Sequence, residues 1–157
     1  MTLGHAAVKA RDASAAVGWF RRALTDQPDD PEAHAWLGQS LCHMGQIAEG
    51  APHLRAAARN WLQAGGLELD RALEVVGQLH QWRDFQGALD LLKTAVDGEP
   101  TSGRALQMLA ATYGQLNLTA DALEAGDRAL RLDPGNATTQ VLLGSLEVDA
   151  GRGAAPG

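Results

Sequence analysis

Cysteine and histidine are the residues whose chemistry would be easiest to recognise in this chain, and neither type is arranged for catalysis. Cys42, the only cysteine, is followed directly by His43. A thiol nucleophile needs a base within hydrogen-bond reach, and adjacent residues of a helix point in different directions. The two side chains therefore cannot form a nucleophile–base pair, and we interpret Cys42 as a small, partly buried packing residue.

The five histidines could bind a metal only if the fold gathered them, because no two of them have metal-ligand spacing on one helix. His5, His43 and His80 could approach one another if successive segments stack, although scattered surface positions are the simpler alternative. The sequence also lacks a phosphate loop, a dinucleotide-binding glycine motif, a nucleophile elbow and an HExxH helix. We expect no catalytic residues, no metal and no cofactor, and hence no enzymatic activity.

Composition indicates an all-helical protein. The chain has 157 residues, of which 45% are apolar, mostly alanine and leucine, and only 4% are aromatic. The formal net charge of −6 argues against nucleic acid or an anionic membrane as the main partner. No signal peptide and no membrane-spanning run is recognisable, which predicts a cytoplasmic location.

Two patterns repeat along the chain at the same offset. One is a small-x₃-large-x₂-small unit: Ala16-Phe20-Ala23, Gly50-Leu54-Ala57, Ala88-Leu92-Ala95 and, imperfectly, Ala122-Gly126-Ala129. The other is Leu3-Gly4, Leu37-Gly38, Val75-Val76, Leu109-Ala110 and Leu143-Gly144. The copies are 34 residues apart, except that 38 residues separate the second from the third. A fixed period of this length predicts stacked structural repeats with one four-residue insertion.

Each period divides into two predicted helices. In the second copy Asp30 can cap a helix that begins at Pro31 and ends at Gly45. The partner helix begins at Ile47 and runs through Leu62, where the other copies have proline. The insertion, residues 65–68, predicts a flexible elbow. Further helices are predicted at residues 69–82, 86–96, 104–116, 120–132 and, capped by Asn136, 137–150.

The pattern resembles the tetratricopeptide repeat (TPR), with its W-x₂-L-G-x₂-Y, A-x₃-F-x₂-A and proline positions. The resemblance implies an all-α, right-handed superhelix (α-solenoid) of antiparallel helix pairs. The repeats would be residues 1–30, 31–64, 69–102 and 103–136, followed by a final helix at 137–150 and a flexible tail at 151–157. Gly126 departs from the pattern at a position for a large residue, so we expect a small void or a loose joint there.

The resemblance also implies a concave groove lined by the first helix of each repeat. Trp36 is the expected ligand anchor, with a purely structural role as the alternative. Asp70 and Glu74 occupy positions of the carboxylate clamp of chaperone-binding relatives and would repel a carboxylate. The predicted partner-binding groove consists of Trp36, Gln39, His43, Asp70, Glu74, His80, Arg104, Gln107 and Met108.

The sequence thus predicts a protein–protein interaction scaffold that docks a peptide or helix in this groove, whose acidic centre favours a basic segment. The alternative is a non-catalytic N-terminal module of a larger bacterial enzyme of the sulfotransferase, glycosyltransferase or hydroxylase type. The final helix carries surplus apolar residues, among them Val141 and Val148. This surplus predicts further sequence beyond residue 157 or end-to-end self-association, unless a short cap simply tolerates it.

Overall fold

The computed structural model describes residues 12–154, and this part contains α-helices, one 3₁₀ turn and no strand. The all-α architecture of consecutive helices is therefore confirmed. Residues 1–11, which hold the predicted first helix of the first repeat and His5, lie outside the described residues. The helices are α1 (Ala13–Asp26), α2 (Pro31–His43), α3 (Ile47–Ala64), α4 (Leu69–Gln81), α5 (Phe85–Gly98), α6 (Gly103–Gln115), α7 (Thr119–Leu132) and α8 (Ala137–Ala154).

Side-chain caps fix where several helices begin. The Asp30 carboxylate accepts a hydrogen bond from the Glu32 N–H at 3.0 Å, and Pro31 is the first residue of α2. The Asn136 side chain likewise accepts from the Thr139 N–H at 3.0 Å and begins α8. Both predicted caps are confirmed.

Helices α2, α4 and α6 end in the same way. Each is followed by a residue in the left-handed region: Gly45 (φ 83°), Arg83 (φ 63°) or Asn117 (φ 60°). The next N–H then donates to the carbonyl five residues back, a bond typical of the Schellman motif. These bonds, all 2.9 Å long, are Gln46 to Leu41, Asp84 to Leu79 and Leu118 to Tyr113. The three ends are separated by the same offsets as the sequence repeats. The same local turn therefore ends the first helix in each of these three repeats.

Gly45→Ala is expected to lower the free energy of unfolding by about 1–2 kcal/mol, because a Cβ is disfavoured at positive φ. Gly77→Ala is the matched control, since Gly77 lies within α4 with nothing within 4 Å of an added Cβ. The control should raise stability by about 0.5–1 kcal/mol, the usual helical preference for alanine over glycine. Urea unfolding followed by circular dichroism measures both. Equal effects of the two substitutions would contradict the assigned turn.

The chain divides into two compact units, and the boundary in the sequence falls within α5, between Leu91 and Leu92. In unit 1, α2 and α3 are antiparallel, because Gly38 faces Leu54 while Cys42, one turn later, faces the earlier residue Gly50. Cys42 is buried, and burial raises the pKa of its thiol. This agrees with its interpretation as a packing residue rather than a nucleophile.

Helix α1 packs on α2 through a core of Ala16, Val17, Phe20, Leu37 and Leu41. The neighbouring α3 continues to Ala64, which confirms the extension predicted from the missing proline. The insertion forms a 3₁₀ turn at Gly66–Glu68, whose Leu67 side chain is 95% exposed. The four extra residues therefore build a defined turn between α3 and α4.

Unit 2 contains the rest of α5 together with α6, α7 and α8. The expectation of a void at Gly126 is wrong. A Cβ built on Gly126 would lie 2.5 Å from Cδ2 of Leu143, so this leucine of α8 already fills the space. The large side chain that the repeat lacks at Gly126 is replaced by one from the following helix.

Helix α8 continues to Ala154, so the predicted end at Ala150 is wrong, and Gly151 is helical. Its inner face buries Leu143 and Leu146, whereas Val141 and Val148 are 71% and 53% exposed. This exposed face is the feature from which self-association was predicted, and that expectation stays a prediction. Across residues 12–154, no helix combines the length and the apolar character needed to cross a membrane.

Candidate partner-binding site

The predicted groove residues are divided between the two units. Trp36, Gln39 and His43 lie on α2, and Asp70, Glu74 and His80 on α4, all in unit 1. Unit 2 carries the other three on α6, with Arg104 exposed and Gln107 and Met108 half-buried.

Unit 1 contains a cavity of about 310 Å³ between α2, α3 and α4, which we call the unit 1 cavity. Of the predicted residues it brings together Trp36, Gln39 and Glu74. His43, Asp70 and His80 are not among its lining residues. The described residues that line it are Glu32, Ala35, Trp36, Gln39, Trp61, Arg71, Glu74, Val75 and Gln78.

Trp36 both packs and lines the cavity. Its ring stacks on Phe20 with centroids 6.2 Å apart and an interplanar angle of 12°. It is only partly buried against the α1–α2 core, and its remaining surface lines the cavity. The two roles considered for Trp36 are therefore compatible, because the stack holds the indole in one orientation beside the opening.

Trp61 and Arg71 are two of the lining residues that lie outside the predicted groove. Trp61 is buried, and its position near the end of the extended α3 brings it beside α4. The Arg71 guanidinium lies 4.5 Å from the Trp61 ring centroid. The extension of α3 was the available signal, because it lengthens this wall of the cavity.

Charge in the unit 1 cavity is mixed, with carboxylates in excess. Arg71 contacts Glu68 at 3.2 Å and Glu32 at 3.9 Å, both measured from guanidinium nitrogen to carboxylate oxygen. Glu74 is a further carboxylate of the lining. Among the described lining residues, two carboxylates, Glu32 and Glu74, therefore accompany one cation, Arg71, whereas Asp70 lies outside the lining.

Gln78 contributes an unusual polar atom to the wall. Its Oε1 is buried and has no hydrogen-bond partner among the described residues. A buried acceptor without a donor raises the free energy of the structure. A donor group that entered the cavity and reached this atom would remove that cost.

His43 and His80 have local structural contacts instead of a place in the cavity. His43 Nδ1 donates to the Gln39 carbonyl at 2.8 Å, and its ring meets Trp82 edge-on with centroids 5.5 Å apart. His80 meets Phe85 edge-on at 5.4 Å, and burial lowers its pKa. Within residues 12–154, no group of three or more His, Cys, Asp or Glu side chains could hold a metal ion.

A pair of histidines joins α2 to α3 outside the unit 1 cavity. His34 Nε2 donates to the Pro28 carbonyl at 2.8 Å, and His34 Nδ1 lies 2.9 Å from His53 Nδ1. With both rings neutral, His34 Nδ1 must therefore accept a hydrogen bond from His53. Burial and the His34 ring, with a smaller contribution from Arg21, lower the pKa of His53, while Glu49 opposes them. Two protonated rings would place two N–H groups against each other.

We expect this pair to make the protein less stable in acid. The pKa of His53 is lower folded than unfolded, so the unfolded chain binds more protons as pH falls through about 6.5. The contribution of His53 to the free energy of unfolding is fully present above that pH. It declines below that pH, by at most about 1.4 kcal/mol per pH unit, because one proton is involved. Urea unfolding between neutral and mildly acidic pH should show a shallower decline for His53→Gln. An unchanged slope in His53→Gln would contradict the prediction.

A family model described as tetratricopeptide repeat matches residues 1–65 and 83–137 of the chain. No curated protein matches the sequence of this chain.

Several solved structures are similar to the chain. MamA from Desulfovibrio magneticus RS-1 aligns at 19% identity over 95% of this chain and 82% of that one, with a TM-score of 0.67. Pseudomonas aeruginosa pilF aligns at 20% identity over 96% and 67%, with a TM-score of 0.62. YrrB is described as a TPR protein with an unusual peptide-binding site. It aligns at 21% identity over 88% of this chain and 69% of its own, with a TM-score of 0.60. At these identities the likeness shows a shared fold alone.

Proposed function

The chain belongs to the tetratricopeptide repeat family, and from that premise we propose that unit 1 docks a basic peptide or helical segment of a partner protein in its cavity. A protein-interaction scaffold is the role that this fold generally supports. The finer proposal specifies the binding site, which is the unit 1 cavity, and the basic character of the partner segment. The proposed activity of the protein is binding and not catalysis.

The observation that carries the proposal is the composition of the unit 1 cavity. A volume of about 310 Å³ can receive one or two side chains, and two indoles, Trp36 and Trp61, supply apolar contact area. Trp36 is already held by its stack on Phe20, so little side-chain entropy is lost when a partner binds. These features favour an anchored side chain over a flat surface contact.

Electrostatics favour a basic segment as the occupant. Among the described residues that line the cavity, Glu32 and Glu74 are carboxylates and Arg71 is the one cation, and the whole chain carries a formal charge of −6. Such a field attracts basic partners and disfavours acidic ones. The peptide-binding site named for YrrB supports peptide docking as a use of this fold. Participation of Arg104, Gln107 and Met108 stays a prediction, and nothing favours the alternative of a module of a larger enzyme.

Selection of peptides from a random displayed library tests the proposal. Peptides enriched on the wild-type protein should carry arginine or lysine beside an apolar residue. Glu74→Arg should raise their dissociation constants by about tenfold or more, because it reverses a charge at the cavity. Glu124→Arg makes the same change on α7, at an exposed position in unit 2, and should have little effect. Equal binding by wild type and Glu74→Arg would remove the cavity from the proposal.

A further inference from the structure

We propose that Arg71 is the chain's own occupant of a guanidinium subsite, and that an arginine side chain of the partner takes its place on docking. The subsite consists of the Trp61 ring with the carboxylates of Glu32 and Glu68, and we call it the Trp61 subsite. The inference rests on the proposed function, because it names the group that the unit 1 cavity receives.

The contacts of Arg71 are those that an incoming guanidinium would make. Its guanidinium carbon lies 4.5 Å from the centroid of the Trp61 ring. Its Nη1 donates to Glu68 at 3.2 Å, and its Nη2 lies 3.9 Å from Glu32. An aromatic face flanked by two carboxylates suits a planar, weakly hydrated cation better than a compact ammonium. The Trp61 subsite therefore prefers arginine to lysine.

Arg71 is held loosely enough to be replaced. Its side chain is 47% exposed, and exposed ion pairs of this kind contribute little to stability. It is also the third residue of α4, where the N–H groups of the helix start disfavour a positive charge. Helix stability therefore does not explain an arginine at this position, whereas occupancy of the Trp61 subsite does.

The four-residue insertion builds part of the subsite. Glu68 belongs to the 3₁₀ turn that the insertion forms, and Arg71 follows it by one helical turn. The match to the family model is interrupted between residues 65 and 83, the segment that contains both. The feature that breaks the repeat spacing thus supplies one carboxylate and positions the cation.

Displacement of Arg71 would leave an excess of negative charge. The lining residues Glu32 and Glu74, and Glu68 next to Arg71, would then lose this cation as a neighbour, and the Gln78 Oε1 offers an unused acceptor in the cavity wall. A second guanidinium restores the charge balance and brings additional N–H donors. A carboxylate would leave this imbalance uncorrected, so the occupant that fits is an arginine side chain.

Binding of N-acetyl-arginine amide to wild type, Arg71→Gln and a control provides the test. The indole N–H resonances of the four tryptophans report the place of binding in the ¹⁵N-labelled protein. Arg71→Gln should bind the probe about three- to tenfold more tightly than wild type, because the internal competitor is gone. The Trp61 resonance should move most. The affinity of N-acetyl-lysine amide should rise less between wild type and Arg71→Gln than that of the arginine probe.

Arg22→Gln is the matched control. Its guanidinium lies 5.6 Å from the Trp19 ring centroid, outside the unit 1 cavity, and the substitution removes the same charge. An equal gain in Arg22→Gln would assign the effect to net charge and overturn the proposal. So would unchanged or weaker binding by Arg71→Gln, or a response that spares Trp61. If Arg71→Gln loses the native spectrum, Arg71→Met, which keeps an apolar stem, replaces it under the same criteria.

The experiment separates this inference from the proposed function. N-acetyl-glutamate amide that binds wild type better than Arg71→Gln would identify Arg71 as an anchor for an acidic group and overturn the displacement. If the peptide selection yields no peptide that binds in the unit 1 cavity, the proposed function is contradicted. Tighter binding of the arginine probe by Arg71→Gln would still establish Arg71 as an internal occupant, because the probe does not depend on any natural partner.

Discussion

Leu37→Ala is expected to lower the free energy of unfolding by about 2–5 kcal/mol, as is usual for a large-to-small change in a well-packed core. Leu37 is 1% exposed and packs with residues of α1 and α2, among them Phe20 and Leu41. Because the side chains around Leu37 belong to two different helices, they cannot move in to fill the space that the substitution leaves. The free-energy cost of the lost apolar burial and the cost of the remaining cavity therefore add.

Urea unfolding followed by circular dichroism and by tryptophan fluorescence measures this effect. Leu67→Ala is the matched control, because the same atoms are removed from a side chain that is 95% exposed. It should change stability by less than about 0.5 kcal/mol. Leu109→Ala makes the equivalent change in unit 2, where Leu109 is 5% exposed, and a loss of similar size is expected. An unchanged midpoint in Leu37→Ala would mean that the repeat register assigned to α2 is wrong.

The helices could be predicted from the sequence because their signals are local. Each signal acts on neighbouring backbone groups, as do Pro31 at a helix start, the caps Asp30 and Asn136, and Gly45 after a helix end. The predicted starts of α2 to α8 agree with the structure to within one residue. The end of α8 was missed because a glycine signals termination only where the chain actually turns, and Gly151 remains helical.

The candidate site was predicted only in part, because it depends on contacts between helices. The repeat pattern places Trp36 and Glu74 on first helices, and both line the unit 1 cavity. It assigns second helices to the opposite face, so Trp61 was not considered. Leu143 filling the space at Gly126 is a similar case, since the compensating side chain lies on the next helix. Spacing along one helix does not show which side chain of another helix will reach across.

A close approach of α2 and α3 at Gly38 yields the other large prediction. A Cβ built on Gly38 would lie 2.8 Å from the carbonyl oxygen of Gly50 and 2.9 Å from the backbone nitrogen of Leu54. Both atoms belong to the backbone of α3, so no side-chain rotation can relieve the overlap. Gly38→Ala must separate α2 from α3, and we expect it to cost about 3 kcal/mol, the upper part of the usual range for overpacking.

Gly18→Ala is the control, because Gly18 lies within α1 and an added Cβ there meets nothing within 4 Å. It should stabilise the protein by about 0.5–1 kcal/mol. Trp36 and Trp61 stand on the two helices that Gly38→Ala would force apart, so any folded Gly38→Ala should also bind the arginine probe more weakly. Unchanged stability would show that α2 and α3 are not in contact at this glycine. Reduced stability with unchanged binding would show instead that the cavity does not depend on their spacing.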